Sequence, residues 1–396
     1  GVYCLYNIKV AAIPALSETP VIRFSEWMGR SPDLIEAQIT YPLISTLLSA
    51  PKVKVVRGFS MFGMSFVYVI FEDGTDNYWA RTRVLEYLSK ITGQLPEGVT
   101  PAMGPDASGV GWVLQYALID TSGDYNLAQI KSFQDWQLKY WLSAVPGVAE
   151  VASVGGYDKQ YQVEVDPNRL AALNLSLDRV ISAIRNSNSD VGGRTLEISQ
   201  REYYVRSLGY VKDPTQLESI AIGVGPDATP IRLSDVARVS LGPNIRRGLA
   251  DLNGNGDTVG GVVVMRQGED VSRVIDAVKA KLEEVKGAFP PGLEIQLVYD
   301  RSDLIAQAVA TLRDNLIEEI VLVCLVILVF LFHVRSTLVV VISLPLSILI
   351  SLIPMYYLDI SLNIMSLGGI ILAVGDIVDG VVVFIENTHK KISSSD

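Results

Sequence analysis

Apolar residues are spread unevenly along this chain of 396 residues. Up to about residue 313 they alternate, or recur at helical spacing, among charged and polar positions; from Asn315 onward they run almost unbroken. The first part reads as strands and amphipathic helices. The second offers three apolar helices, 314–333, 337–358 and 364–388, each close to the roughly 20 residues that cross a bilayer core of about 30 Å. Pro345 and Pro354 fall inside the middle one, where neighbouring helices can satisfy the freed carbonyls. Residues 1–12, beginning GVYCLYNI, read as the end of a further membrane helix and a linker. No initiator Met or signal peptide precedes them, so the sequence is expected to be a fragment.

Within the polar part, a strand at Val21–Trp27 follows an irregular lead-in from Pro14 to Pro20. Ser31-Pro32-Asp33 then starts a helix that runs to about Ser49. Lys52–Gly58 and Ser65–Glu72 read as strands around a turn at Ser60–Gly63, Asp76-Asn77 starts a second helix, and Trp112–Asp120 closes the set. This order, β-α-β-β-α-β over residues 13–125, predicts a ferredoxin-like split βαβ unit. A second such unit is expected over 126–188 and 251–305. Its elements are the helix Ser132–Ala144, strands Val148–Val154 and Gln160–Asp166, the helix Ser176–Asn186, and then Val259–Arg266, Val271–Lys286 and Leu293–Tyr299. Between the two pieces, residues 189–250 form a strand-rich insertion with strands at Tyr203–Leu208, Ile220–Val224 and Val236–Leu241 and an exposed hairpin. The fold class expected is therefore an α+β head of split βαβ units with an inserted subdomain, joined to all-α transmembrane helices.

Charge and chemistry narrow the function. A formal net charge of −10 argues against nucleic acid as a partner and suits cationic cargo. Cys4 and Cys324, near the start and inside an apolar helix, are not a disulfide framework. The glycine-rich pieces Gly104–Gly111 and Asn253–Gly256 open no strand-to-helix phosphate loop and read as turns. His333 and His389 both flank apolar helices, and with no nucleophile and base pairing nearby, no enzyme activity or cofactor is expected. Positive charge collects at Arg335 and at Lys390/Lys391 while the intervening loop carries Asp359, which assigns those ends to the cytoplasm and residues from about 10 to 313 to the far side.

The last apolar helix carries acids. Asp376 and Asp379 lie near its middle and Glu386 at its far end, and a mid-membrane carboxylate costs roughly 2.5–3.5 kcal/mol even on lenient insertion scales. At about 100° per residue, Asp379 and Glu386 fall within about 20° of each other and Asp376 about 60° to the side, so one acidic stripe runs along one face. In a low-dielectric bundle the charged form of a carboxyl is disfavoured, which is the condition for proton exchange near neutral pH. The stripe is read as a proton site.

The run AVGDIVDGVVVFIEN, with DGTDNYWARTRVLEYL, GPDASGVGWVLQYAL and VAEVASVGGYDKQYQVEVDP, resembles the heavy-metal efflux branch of the resistance-nodulation-division (RND) exporters along the whole chain, as the N-terminal half of such a pump. The resemblance implies a proton-driven antiporter subunit, a homotrimer in a bacterial inner membrane with a large periplasmic head. It further implies a tripartite complex with a periplasmic adaptor and an outer-membrane channel. The split βαβ units would be porter subdomains and 189–250 the docking subdomain. Asp379 matches the family's relay aspartate and Glu386 a second acid of the metal branch; Asp376 stands where an apolar residue is expected. Gly380 replaces the second Asp of multidrug members, and Ala373 stands where divalent-metal pumps carry an acid. The cargo implied first is Cu(I)/Ag(I), which favours thioether ligands. Met365 matches one step of the copper/silver methionine path, while Ile245, Ile377 and Phe384 replace three others. Efflux of divalent Zn, Co or Cd, or of organic molecules, is the alternative. Met61 and Met64 read as packing residues near a turn.

Overall fold

The computed structural model describes residues 1–10, 20–107, 109–189, 192–206, 209–225, 228–246, 248–331 and 334–393. The expected lead-in at 14–19, Val191, the end of the expected strand at Ser207-Leu208, and His333 lie outside them. The first sheet contains β1 (Pro20–Glu26), β2 (Val53–Met61), β3 (Met64–Phe71) and β4 (Ala102–Met103), in the order β2-β3-β1-β4. Two helical runs cover one face. Residues 32–47 begin at Ser31-Pro32, where a proline's missing N–H costs no hydrogen bond, and contain a π-helical turn at Glu36–Thr40. The helix Asn77–Ile91 is capped by Asp76, which accepts from the Trp79 backbone N–H at 2.8 Å. Ile35, Ile39, Leu43 and Leu47 from the first run and Ala80, Val84 and Leu88 from the second recur every fourth residue. They bury against Val21, Val67, Val69 and Phe71, the alternate positions of β1 and β3.

The strands that follow are β5 (Trp112–Asp120), β6 (Val148–Gly155), β7 (Lys159–Val165), β8 (Gly192–Ile198), β9 (Arg201–Arg206), β10 (Ala221–Val224), β11 (Pro230–Arg232), β12 (Ala237–Pro243), β13 (Val259–Met265) and β14 (Leu293–Asp300). Trp112–Asp120 does not close the first sheet as expected. The two-residue β4 does so, pairing Arg23 with Met103 and Phe24 with Ala102. The reason lies in β5 itself: Val113, Leu114, Tyr116, Ala117 and Leu118 are all buried, so it needs cover on both faces and neighbours on both sides. It finds them in a second sheet ordered β14-β5-β13-β6. With the helical run 127–143 between β5 and β6, and Val271–Val285 between β13 and β14, this is again βαββαβ with the same neighbour order.

A second correction concerns Gln160–Asp166 and Ser176–Asn186, expected in the second split unit. The strand, observed as β7, pairs antiparallel with β12 from Lys159↔Pro243 to Val165↔Ala237. It belongs, with the helix Leu177–Ser187, to a separate compact unit. The described chain divides into Gly1–Tyr125, Phe133–Val154 and Thr258–Asp396 on one hand, and Asn126–Ser132 and Gly155–Asp257 on the other. The smaller unit packs Leu170, Val180, Leu217, Ile222, Leu233 and Val236 into its own core. It carries the β8–β9 hairpin, whose turn residues Ser199 and Gln200 both have positive φ and whose Leu196, Ile198, Tyr203 and Tyr204 are exposed. In the same unit, Asn253–Gly256 is a turn as expected, its Asp251 carboxylate accepting from the Gly254 and Gly256 N–H groups at 2.6 and 2.9 Å.

The helical end of the chain contains Arg301–Leu331, Val334–Tyr357 and Ile364–Ser393. The first begins thirteen residues before the expected start at 314, because the polar stretch between is rich in helix-forming residues and simply extends the helix from β14. Val334 to Ser336, expected in a turn, already belong to the next helix. Among the described residues one helix is long and apolar enough to cross a membrane, through Ile364–Val381; Pro345–Tyr357 is a shorter apolar stretch. The helix Val2–Asn7 packs beside the middle helix, with Cys4 and Ile8 buried against Leu352. The Leu362 N–H donates to the Lys9 carbonyl at 2.8 Å, and Lys9 pairs with Asp359 at 3.0 Å.

Candidate functional site

The helix Ile364–Ser393 is fixed at its start by a reciprocal cap. Buried Asn363 accepts through Oδ1 from the Met365 and Ser366 N–H groups at 3.0 Å each, while the Asn363 N–H donates to Ser366 Oγ at 2.8 Å. Two donors left over at the helix start are thus satisfied, and the helix leaves the 359–363 loop in one orientation. Leu367 and Val374, seven residues apart and nearly superposed down the axis, are buried at 6% and 1% exposure. They define the packed face.

Asp376 and Asp379 lie on the other side, about 200° and 140° round from Val374, and both are exposed. Met365, Leu372 and Val383 share that side, at 67%, 78% and 55% exposure. Among the described residues this face of the membrane-length helix has no buried position, and two carboxylates set in so apolar a helix mark it as a functional candidate. Glu386 lies on the same helix seven residues beyond Asp379; its side chain is outside the described residues. Among the described residues no cation pairs with Asp376 or Asp379, and no group of three or more His, Cys, Asp or Glu could hold a metal.

The structure brings the predicted residues onto one face without making them one site. Asp376 and Asp379 are about 4.5 Å apart along the axis, and position 386 is about 10 Å further along the same helix, beyond hydrogen-bond reach of either. Met365 lies about 16 Å from Asp376 along the axis, too far to share an ion with the acids.

The whole chain, residues 1–396, matches the AcrB/AcrD/AcrF family. The chain belongs to that family. It is 50% identical over 392 residues to the cation efflux system protein CusA of Escherichia coli (strain K12), covering 99% of this chain and 37% of that protein. To the putative cation efflux system protein SilA of Salmonella typhimurium it is 50% identical over 396 residues, covering 100% and 38%. The cobalt-zinc-cadmium resistance protein CzcA of Cupriavidus metallidurans is 34% identical over 400 residues, covering 99% and 37%. A crystal structure of a heavy metal efflux pump superposes with a TM-score of 0.89 at 31% identity, covering 98% of this chain and 39% of that one. The chain thus spans under two-fifths of these relatives. Within the AcrB/AcrD/AcrF family it falls in the heavy-metal branch of the RND exporters, a family of transporters and not of enzymes.

Proposed function

We propose that this chain is part of a proton-driven exporter of heavy-metal cations, with Cu(I)/Ag(I) as first cargo. It works as a homotrimer in a bacterial inner membrane with a periplasmic adaptor and an outer-membrane channel. The observation that carries the reading is the exposed placement of Asp376 and Asp379 on the unpacked face of a membrane-length helix, in a chain of a transporter family. Proton binding and release at Asp379, tuned by Glu386 and Asp376, biases how that helix packs against its neighbours. The two βαββαβ units act as porter subdomains that rock in response, and the unit around Gly155–Asp257 serves as the docking subdomain. Greater identity to CusA and SilA than to the cobalt-zinc-cadmium protein, together with Ala373 where the divalent pattern has an acid, supports the monovalent cargo.

In the whole pump, Asp379→Asn is expected to abolish metal uptake into sealed inverted vesicles driven by an imposed pH gradient, while the trimer still assembles. Undiminished transport by that variant would refute the relay.

A further inference from the structure

Met61 and Met64 face each other directly across the β2–β3 hairpin, and Glu26 stands directly opposite Met64 on β1. Directly opposed residues in antiparallel strands lie on the same face with Cβ atoms about 4.5–5.5 Å apart, so Met61, Met64 and Glu26 form one row across three strands. The face is the one without helices. Val21, Arg23 and Ser25 on β1 and Ser65, Val67 and Val69 on β3 point to the helix-covered core, which leaves Glu26 and Met64 on the opposite side.

Glu26 is exposed, Met61 is 45% exposed and Met64 half-buried. A third thioether comes from the turn after β1. The Trp27 N–H donates to the Gly63 carbonyl and the Gly63 N–H to the Arg30 carbonyl, both at 2.9 Å, so the 27–30 segment, with Met28 at 49% exposure, is tied to the hairpin loop. The next row on the same face is Phe59, Phe66 and Phe24. The tip therefore sets two methionines and one carboxylate in one row beside a row of three phenylalanines, with Met28 on a segment whose backbone is tied to the hairpin loop.

We propose that this hairpin tip is a binding site for a soft monovalent cation, Ag(I) or Cu(I), with Met61 and Met64 as paired thioether ligands, Met28 as a third and Glu26 supplying the neutralising charge. Thioethers select soft monovalent metals over Zn(II), Co(II) or Mg(II), whose preferred donors are imidazole and oxygen. Flexible, unbranched methionine side chains can turn toward a shared ion from opposed backbone positions. The adjacent phenylalanines add ring faces that favour a cation and exclude water. A site at this place puts a landing point for cargo on the first βαββαβ unit. Its role in transport rests on the metal-exporter reading; its existence does not.

The test reads binding, not transport. Silver nitrate is titrated into the purified protein in chloride-free buffer, with methionine methyl NMR and equilibrium dialysis as readouts. Saturable shifts of the Met61 and Met64 methyl signals, with the Met103 and Met265 signals unmoved, are expected. In M61I/M64I one equivalent of bound Ag(I) should be lost or its affinity should fall at least tenfold, and Glu26→Gln should weaken it several-fold. Should the double variant misfold, Met61→Ile alone, at an exposed position, carries the same expectation. Unchanged Ag(I) binding in a folded variant, or unmoved Met61 and Met64 signals, overturns the site and leaves the exporter reading standing. Binding at this pair in a pump that exports no metal overturns the exporter reading and leaves the site.

Discussion

Arg23 is a buried guanidinium with no acid paired to it among the described residues. It sits at 3% exposure on the helix-covered face of β1, its Nε has no partner, and beside it Arg81 is engaged with the Gly104 and Pro105 carbonyls at 2.9 and 3.1 Å. Burial, and then the neighbouring charge of Arg81, lower its pKa to about 10. A base with a depressed folded pKa binds its proton less well folded than unfolded, so it weakens the native state at neutral pH. That cost is relieved only as pH rises from about 10 toward the ordinary 12.5. Arg23→Met is expected to raise stability by about 1–3 kcal/mol, by the same amount at pH 6 and pH 9, in denaturant unfolding of the purified protein. The alternation Val21, Arg23, Ser25 was legible in the sequence. Which face the helices would cover was not, because a period of two marks two faces without choosing one.

At the scale of elements, the junction between β14 and the helix Arg301–Leu331 is a pinned joint. Asp300 accepts from the Ser302 N–H at 2.8 Å and from Ser302 Oγ at 2.6 Å, capping the helix, and its other oxygen pairs with Lys279 from the helix Val271–Val285. Burial pushes the Asp300 carboxyl up, but the hydrogen bonds from Lys279 and Ser302 outweigh it and hold the group below its ordinary 3.8. An acid with a depressed folded pKa contributes stability that is complete above the ordinary value and lost as pH falls through the folded one. Lys279→Met should therefore cost about 1–2 kcal/mol at pH 7, seen as a lower melting temperature, and the gap should close on acidification below pH 4. The cap was not read from the sequence, which placed the helix start at 314. Nor was its lysine, since the helix and strand that carry the pair are brought side by side only by the second sheet.

For the molecule as a whole, two copies of one βαββαβ plan precede and lead into the helical end of the chain, and the proposed function, with the flanking charges, calls for both copies on one side of a membrane. A cysteine at Tyr204, 80% exposed on the β8–β9 hairpin, is expected to react with a membrane-impermeant maleimide in intact spheroplasts when Cys4 and Cys324 are replaced by serine. A cysteine at exposed Lys390 should react only after permeabilisation. The opposite pattern would reverse the orientation that Arg335 and Lys390/Lys391 assign.

What the sequence determined by itself was local or additive. Helical and alternating periods, proline and aspartate caps, the long apolar runs and the acids set among them follow from neighbours in the chain. Their repetition also predicted the βαββαβ plan, while the family came from the resemblance of particular runs such as AVGDIVDGVVVFIEN. Partner choice was decided only in three dimensions. β5 fits either sheet by its pattern and joins the second because that sheet alone buries both its faces; β7 alternates like any half-buried strand and pairs with β12, far along the chain. The same holds for Met61, Met64 and Glu26. Nothing in their spacing joins residues 26, 61 and 64, and it is the register of three strands that sets two thioethers and a carboxylate in one row.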